Sequence, residues 1–139
     1  MNIVGKFDDS SIALEGTAET LRELARSIRD STKSAAIGEH LLMLPLTPPT
    51  PYSGYIRSIR VVKSAGNVCI SRVERKVLIS GLPEKLAVLA ATIDHLATHR
   101  LVGPHSRKHV HIEFHPEHFY LLEESIPLVV TLLASKVQA

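Results

Sequence analysis

Two stretches decide how the chain is read: "NIVGKFDDSSIALEGTAETLRELARSI", Asn2 to Ile28, and "NVCISRVERKVLISGLPEKLAVLAATI", Asn67 to Ile93. Laid one over the other at a shift of 65 residues and without a gap, they share seven identical positions: Asn2/Asn67, Gly16/Gly81, Glu19/Glu84, Leu21/Leu86, Leu24/Leu89, Ala25/Ala90 and Ile28/Ile93. Leu21, Leu24, Ala25 and Ile28 stand at i, i+3, i+4 and i+7, a spacing common to any two amphipathic helices. The asparagine, the glycine and the helix keep register together, and that concerted match points to an internal repeat.

Working outward from this pair, each half reads as two short strands, a break at glycine, a helix of about four turns and two further strands. The expected strands are Asn2 to Phe7, Ser11 to Glu15, His40 to Leu46 and Tyr55 to Lys63, then Asn67 to Val73, Lys76 to Ser80, Lys108 to Phe114 and Ile126 to Leu133. Tight polar turns, "DDS" and "ER", join the first two strands of each half, and Gly16 and Gly81 are read as the chain breaks. Thr17 opens the first helix and Pro83 suits the first turn of the second. The fold class is therefore α+β: duplicated ββαββ units building an antiparallel sheet, or two facing sheets, of about eight strands with two helices packed on them. Residues 1–66 form a first, degenerate repeat and residues 67–139 the second, in one compact domain.

The helices differ. "TAETLRELARSIRDST" carries Arg22, Glu23, Arg26 and Arg29 behind its apolar stripe and should be half exposed. "PEKLAVLAATIDHLATH" adds Ala87, Val88, Ala91, Leu96 and Ala97 around most of its circumference, so it is either central to the fold or a homo-oligomer contact. Between Leu44 and Tyr55, "LPLTPPTPYSGY" has four prolines and cannot continue a ladder, because proline has no N–H to give; it reads as a stiff connecting loop.

Composition narrows the function classes. Apolar residues at 45% and charged residues at 22% are those of a globular domain. With 4% aromatics and no Trp, the core must be aliphatic and a base-stacking platform is not expected. The net charge of +2 comes from scattered Lys and Arg, which favours neither nucleic-acid binding nor polybasic membrane attachment. The lone Cys69 excludes an internal disulfide and reads as a small buried apolar residue. "MNIVGKFDDSS" lacks the basic and apolar regions of a leader, and no apolar window of membrane-spanning length occurs, so a cytoplasmic protein is expected.

The chemistry-bearing segment is "HVHIEFHPEH", His109 to His118. Alternation along a strand sends Val110, Ile112 and Phe114 to the core and His109, His111, Glu113 and His115 to the other face. Same-face neighbours lie roughly 7 Å apart, so His109 and Glu113, at roughly 13 Å, could hardly share one ion. A zinc site would need His109 and His111 with His105 or His118 as the further ligand. Otherwise the imidazoles form a solvated or partner-binding face whose charge changes between about pH 5 and 8. In the first half His40 aligns with His109, Leu42 with His111 and Leu44 with Glu113, leaving that copy without the polar face. Ser125, in "EESIPLVV", takes a turn or capping role by default.

From His109 to Val130, "HVHIEFHPEHFYLLEESIPLVV" resembles a family of short bacterial proteins, immunity proteins of polymorphic toxin systems, the thirty-second so numbered. The resemblance rests on His109, His111, Glu113, Phe114, Pro116, His118, Tyr120, Leu121, Ser125, Pro127, Leu128 and Val129, and extends more loosely back to Lys76. It implies a non-enzymatic inhibitor that binds a cognate toxin in the producing cell, with no cofactor. The contact residues expected on that reading are His109, His111, Glu113, His115 and His118, with Tyr120 as an anchor. The alternatives are a metal-binding protein or metal-dependent enzyme using the His109/His111 face, and a structural homo-oligomer joined through the second helix.

Overall fold

The computed structural model describes residues 2–30, 39–46 and 48–134. The chain runs β1 (Val4–Asp8), β2 (Ser11–Thr17), α1 (Ala18–Asp30), β3 (Glu39–Met43), β4 (Gly54–Tyr55), β5 (Ser58–Lys63), β6 (Cys69–Val73), β7 (Lys76–Gly81), α2 (Pro83–Ala97), β8 (Arg107–Ile112) and β9 (Leu128–Leu133). The α+β class stands, with two helices and strands close to the expected positions. The last two residues of the expected first helix, 31 and 32, and the end of the second half beyond 134 lie outside the described residues.

The sheets differ from expectation. Among the described residues there are nine strands in two sheets: a five-stranded sheet A in the order β4-β1-β2-β9-β8, and a four-stranded sheet B in the order β3-β5-β7-β6. Neither is purely antiparallel, because β2 runs parallel to β9 and β5 parallel to β7. The physical reason is an exchange. The β1–β2 hairpin is completed by the antiparallel β8–β9 pair from the other half, and the β6–β7 hairpin by β3–β5. Hairpin partners are adjacent in sequence, whereas a parallel join needs a long crossover, so only the first kind leaves a local signature. In one join Gly16 stands beside Leu132, in the other Gly81 beside Lys63. The ninth strand, β4, comes from the Pro-rich segment, where Tyr55 and Gly54 pair with Lys6 and Phe7.

Gly16 and Gly81 do not break the chain; they lie inside β2 and β7. A β-carbon on Gly81 would come within 3.0 Å of the Val68 α-carbon, and one on Gly16 within 3.2 Å of the Ile3 side chain. Each glycine lets a neighbouring segment cross the strand end closely.

One core serves both sheets. Ile12, Leu14, Ile59 and Ile79 from the strands meet Leu21, Leu24, Ile28, Leu86, Leu89 and Ile93 from the helices, all at 1% exposure or less. Burial of each such side chain contributes about 1.5–3 kcal/mol before entropy is counted. Helix α1 has the expected half-exposed character, its Arg22, Glu23 and Arg26 open to solvent. The Thr17 hydroxyl accepts from the Thr20 N–H (3.4 Å), as a capping residue does. Helix α2 is central: Leu86, Leu89, Ala90, Ile93, Leu96 and Ala97 are all buried within the chain, leaving small Ala87 and Ala91 outside. The helices are further tied by an Arg29–Asp94 ion pair and by Arg22, whose guanidinium donates to the Ala97 carbonyl (3.3 Å).

The sheet edges are treated differently. Residues 120–126 run along the outer edge of β6: Val68 N–H donates to Tyr120 O (2.7 Å), Leu122 N–H to Val68 O (2.8 Å) and Ile126 N–H to Ile70 O (2.8 Å). Buried Ser125 completes this strap, its Oγ accepting from Ile70 N–H (3.1 Å) and donating to Val68 O (3.3 Å). It closes the expected turn, its N–H donating to Leu122 O (3.1 Å), and also brackets the two halves. Among the described residues, β3 and β8 have no strand on their outer edges.

Candidate functional site

Strand β8 puts the histidines where alternation predicted. Ile112 is buried and Val110 half-buried, while His109 and His111 are exposed. Their rings meet edge to face, centroids 4.9 Å apart. Opposite them on β9 stand Thr131 and Val129. Arg107 and Lys108 open the strand and are exposed as well, with Arg107 4.0 Å from the Glu15 carboxylate of β2. The strand ends at Ile112, so Glu113, Phe114 and His115 belong to the turn that follows; Glu113 and His115 are exposed and Phe114 half-buried.

Beyond the turn the residues part company. His118 is half-buried; its ring lies 5.0 Å from that of His115 and 4.4 Å from that of Tyr120. Its Nδ1 accepts from the Leu121 N–H (3.2 Å), which requires the neutral ring with the proton on Nε2. Burial holds the His118 pKa below the usual imidazole value, and the neighbouring His115 lowers it further. Tyr120, expected as a surface anchor, is 6% exposed and lines the core. Burial raises the pKa of its phenol, against a smaller opposing effect of the hydrogen bond with Thr92. The exposed aromatic is its neighbour Phe119, at 64%, with the Lys85 ammonium 5.5 Å from the ring centre. The "FYLL" run hides which ring turns inward, because no regular strand or helix spans it.

His105 is exposed in the loop before β8. Among the described residues no three His, Cys, Asp or Glu side chains come together as a metal site, so His109, His111, His105 and His118 are not gathered around one point. Cys69, expected to be buried, is half-buried on β6.

The register also corrects the comparison of the two halves. His40 pairs with Val61 on β5, and Val110 pairs with Val130 on β9. Since β5 and β9 occupy matching places in the two joins, His40 corresponds to Val110, Glu39 to His109 and Leu41 to His111. This matching through the pairings lies one residue from the sequence alignment of His40 with His109, and a one-residue slip exchanges the faces of a strand. Burial agrees: Leu42 and Leu44 are 7% and 5% exposed, as core positions should be, whereas Leu41 and Met43 are each 53% exposed. The outer side of β3 therefore carries exposed Leu41 and Met43.

Fold and site define a small α+β protein whose distinctive features are on bare sheet faces and edges, the places where proteins meet other proteins. The chain matches the family model described as Immunity protein 32 over residues 11–48 and 76–133, well over half its length, and belongs to that family. The match reaches further than the resemblance at His109 to Val130, since it includes β2, α1 and β3 of the first half. Comparison with the curated proteins and with the solved structures gives no match.

Proposed function

We propose that this protein is a non-enzymatic inhibitor that binds a cognate bacterial toxin in the cytoplasm of the producing cell and occludes it. Membership of the Immunity protein 32 family is the observation that carries the reading. Within it, His109, His111, Glu113 and His115 are candidate contacts on an edge strand and its turn, joined by exposed Phe119; His118 and Tyr120 position that turn from beneath. The chain is proposed to be a duplicated ββαββ unit, 1–66 and 67–139, and two observations support this. Each hairpin's second strand is joined in parallel to a strand of the other half, and both family-matched stretches begin at the first residue of a hairpin's second strand, Ser11 and Lys76.

Co-expression with the toxin encoded beside its gene is the test. Restored growth and a stoichiometric complex are expected; neither rescue nor complex would sink the proposal. The zinc reading has less support, resting on the adjacent His109 and His111 rings alone. Metal analysis of the purified protein with and without His111→Ala decides it: stoichiometric zinc, lost in the variant, would replace the simple inhibitor reading.

A further inference from the structure

The outer face of sheet B has no layer of described residues over it and mixes large apolar side chains with basic ones. Its central row runs Leu41, Arg60, Leu78 and Ser71 across β3, β5, β7 and β6, and the next row runs Met43, Ser58, Lys76 and Val73. Leu41 and Met43 are 53% exposed, Leu78 38% and Val73 72%. These four are a majority of the seven large hydrophobic side chains found exposed among the described residues. Single exposed leucines need no explanation, but four large apolar side chains on one regular face, with Arg60 and Lys76 between them, suit a contact surface.

The chemistry around the face indicates what covers it. At the end formed by the β6–β7 turn, Arg57, Arg75 and Lys76 are all exposed, with Glu74 the one acid in the turn. The Arg57 N–H donates to the Arg75 carbonyl (2.7 Å), which holds these two residues side by side. A second copy would bring this basic end and Lys76 against an identical surface. The face itself is small: four strands about 4.8 Å apart and five residues of about 3.3 Å rise cover on the order of 300 Å². A stable interface needs about 800 Å² per partner. The occupant must reach past the sheet onto the basic end and carry the opposite charge there.

We infer that the outer face of sheet B is the principal docking surface for the toxin, and that the toxin presents an apolar patch bordered by carboxylates. The identity of the partner rests on the functional reading above; the apolar and basic character of the surface does not. The experiment measures affinity of the full chain for the toxin encoded beside it, with oligomeric state followed by light scattering. Leu41→Asp/Leu78→Asp is expected to weaken binding about 100-fold with an unchanged melting temperature, since both side chains are exposed. Lys76→Glu should weaken binding and reduce its salt sensitivity, while Arg26→Glu on the exposed side of α1 should leave it unchanged. If the complex forms and Leu41→Asp/Leu78→Asp binds like wild type, the docking inference falls and the toxin reading stands. If wild type forms no complex, both fall. A wild-type dimer that the double variant breaks and the toxin does not displace would make a second copy the occupant and overturn the inference.

Discussion

Across the outer face of sheet A one row runs His111, Val129, Ala13 and Lys6; the corresponding row of sheet B runs Leu41, Arg60, Leu78 and Ser71. One step along, sheet A has His109, Thr131, Glu15 and Val4. The inward rows, by contrast, are alike: Ile12 beside Leu128 answers Val77 beside Ile59, and Leu14 beside Val130 answers Ile79 beside Val61. Positions that face the shared core must be aliphatic in both sheets, since close packing penalises any other choice. Outward positions are released from that demand, and their chemistry reports what covers them. The edges repeat the contrast. Strand β8 shows Arg107, Lys108 and two histidines, whereas β3 shows Leu41 and Met43.

Four further experiments would break or sharpen this comparison. The largest effect is expected from the register: Leu42→His places an imidazole in the core and should cost roughly 3 kcal/mol or more in urea denaturation. Leu41→His, the true counterpart of His111, should stay within about 0.5 kcal/mol. Similar losses at both positions would refute the assigned register.

Ser125→Ala removes the hydroxyl that serves Ile70 N–H and Val68 O; Val68 O keeps Leu122 N–H, but Ile70 N–H loses its partner, which should cost about 1–3 kcal/mol. A neutral result in the same denaturation assay would show that the strap on β6 does not depend on that bracket.

Gly81→Ala drives a methyl into the Val68 backbone and should destabilise by about 1–3 kcal/mol. Gly16→Ala meets side chains of Ile3 and Thr20, which can give way, so it should cost less; the reverse order of melting temperatures would contradict the packing described.

The smallest effect is the pH response of the turn beside β8. Because the folded-state pKa of His118 is lowered, the unfolded chain binds the proton more readily in the window just below the usual value near 6.5. Its contribution to stability is therefore complete above that value and declines as pH falls through the folded-state pKa. Denaturation as a function of pH should show this acid-side loss in wild type and less of it in His118→Asn, whose amide oxygen can still accept from Leu121 N–H. An unchanged profile would remove His118 as its source.

Much of this molecule was readable from local pattern. Both helices, the two hairpins and the inward set of Val110 and Ile112 follow from periods of 3.6 and 2, and Thr17 and Pro83 mark helix starts by their own chemistry. The outward position of His109 and His111 was equally readable. The inward turn of Tyr120 and the outward turn of Phe119 were not, because an irregular segment has no period to assign its faces. The family resemblance was visible at His109 to Val130; its extent over residues 11–48 was not.

By itself, then, the sequence determined most of the elements and the side of β8 that meets the core, since these depend on neighbours within a few residues. Tertiary structure alone decided that each hairpin is completed by strands of the other half, that Ser125 bridges to Val68 and Ile70, and that four apolar side chains share one uncovered face. Those arrangements join residues up to about 120 positions apart, such as Ile12 and Leu128. No local preference encodes such pairings; they are selected because only that closure buries both hairpins and both helices in one core.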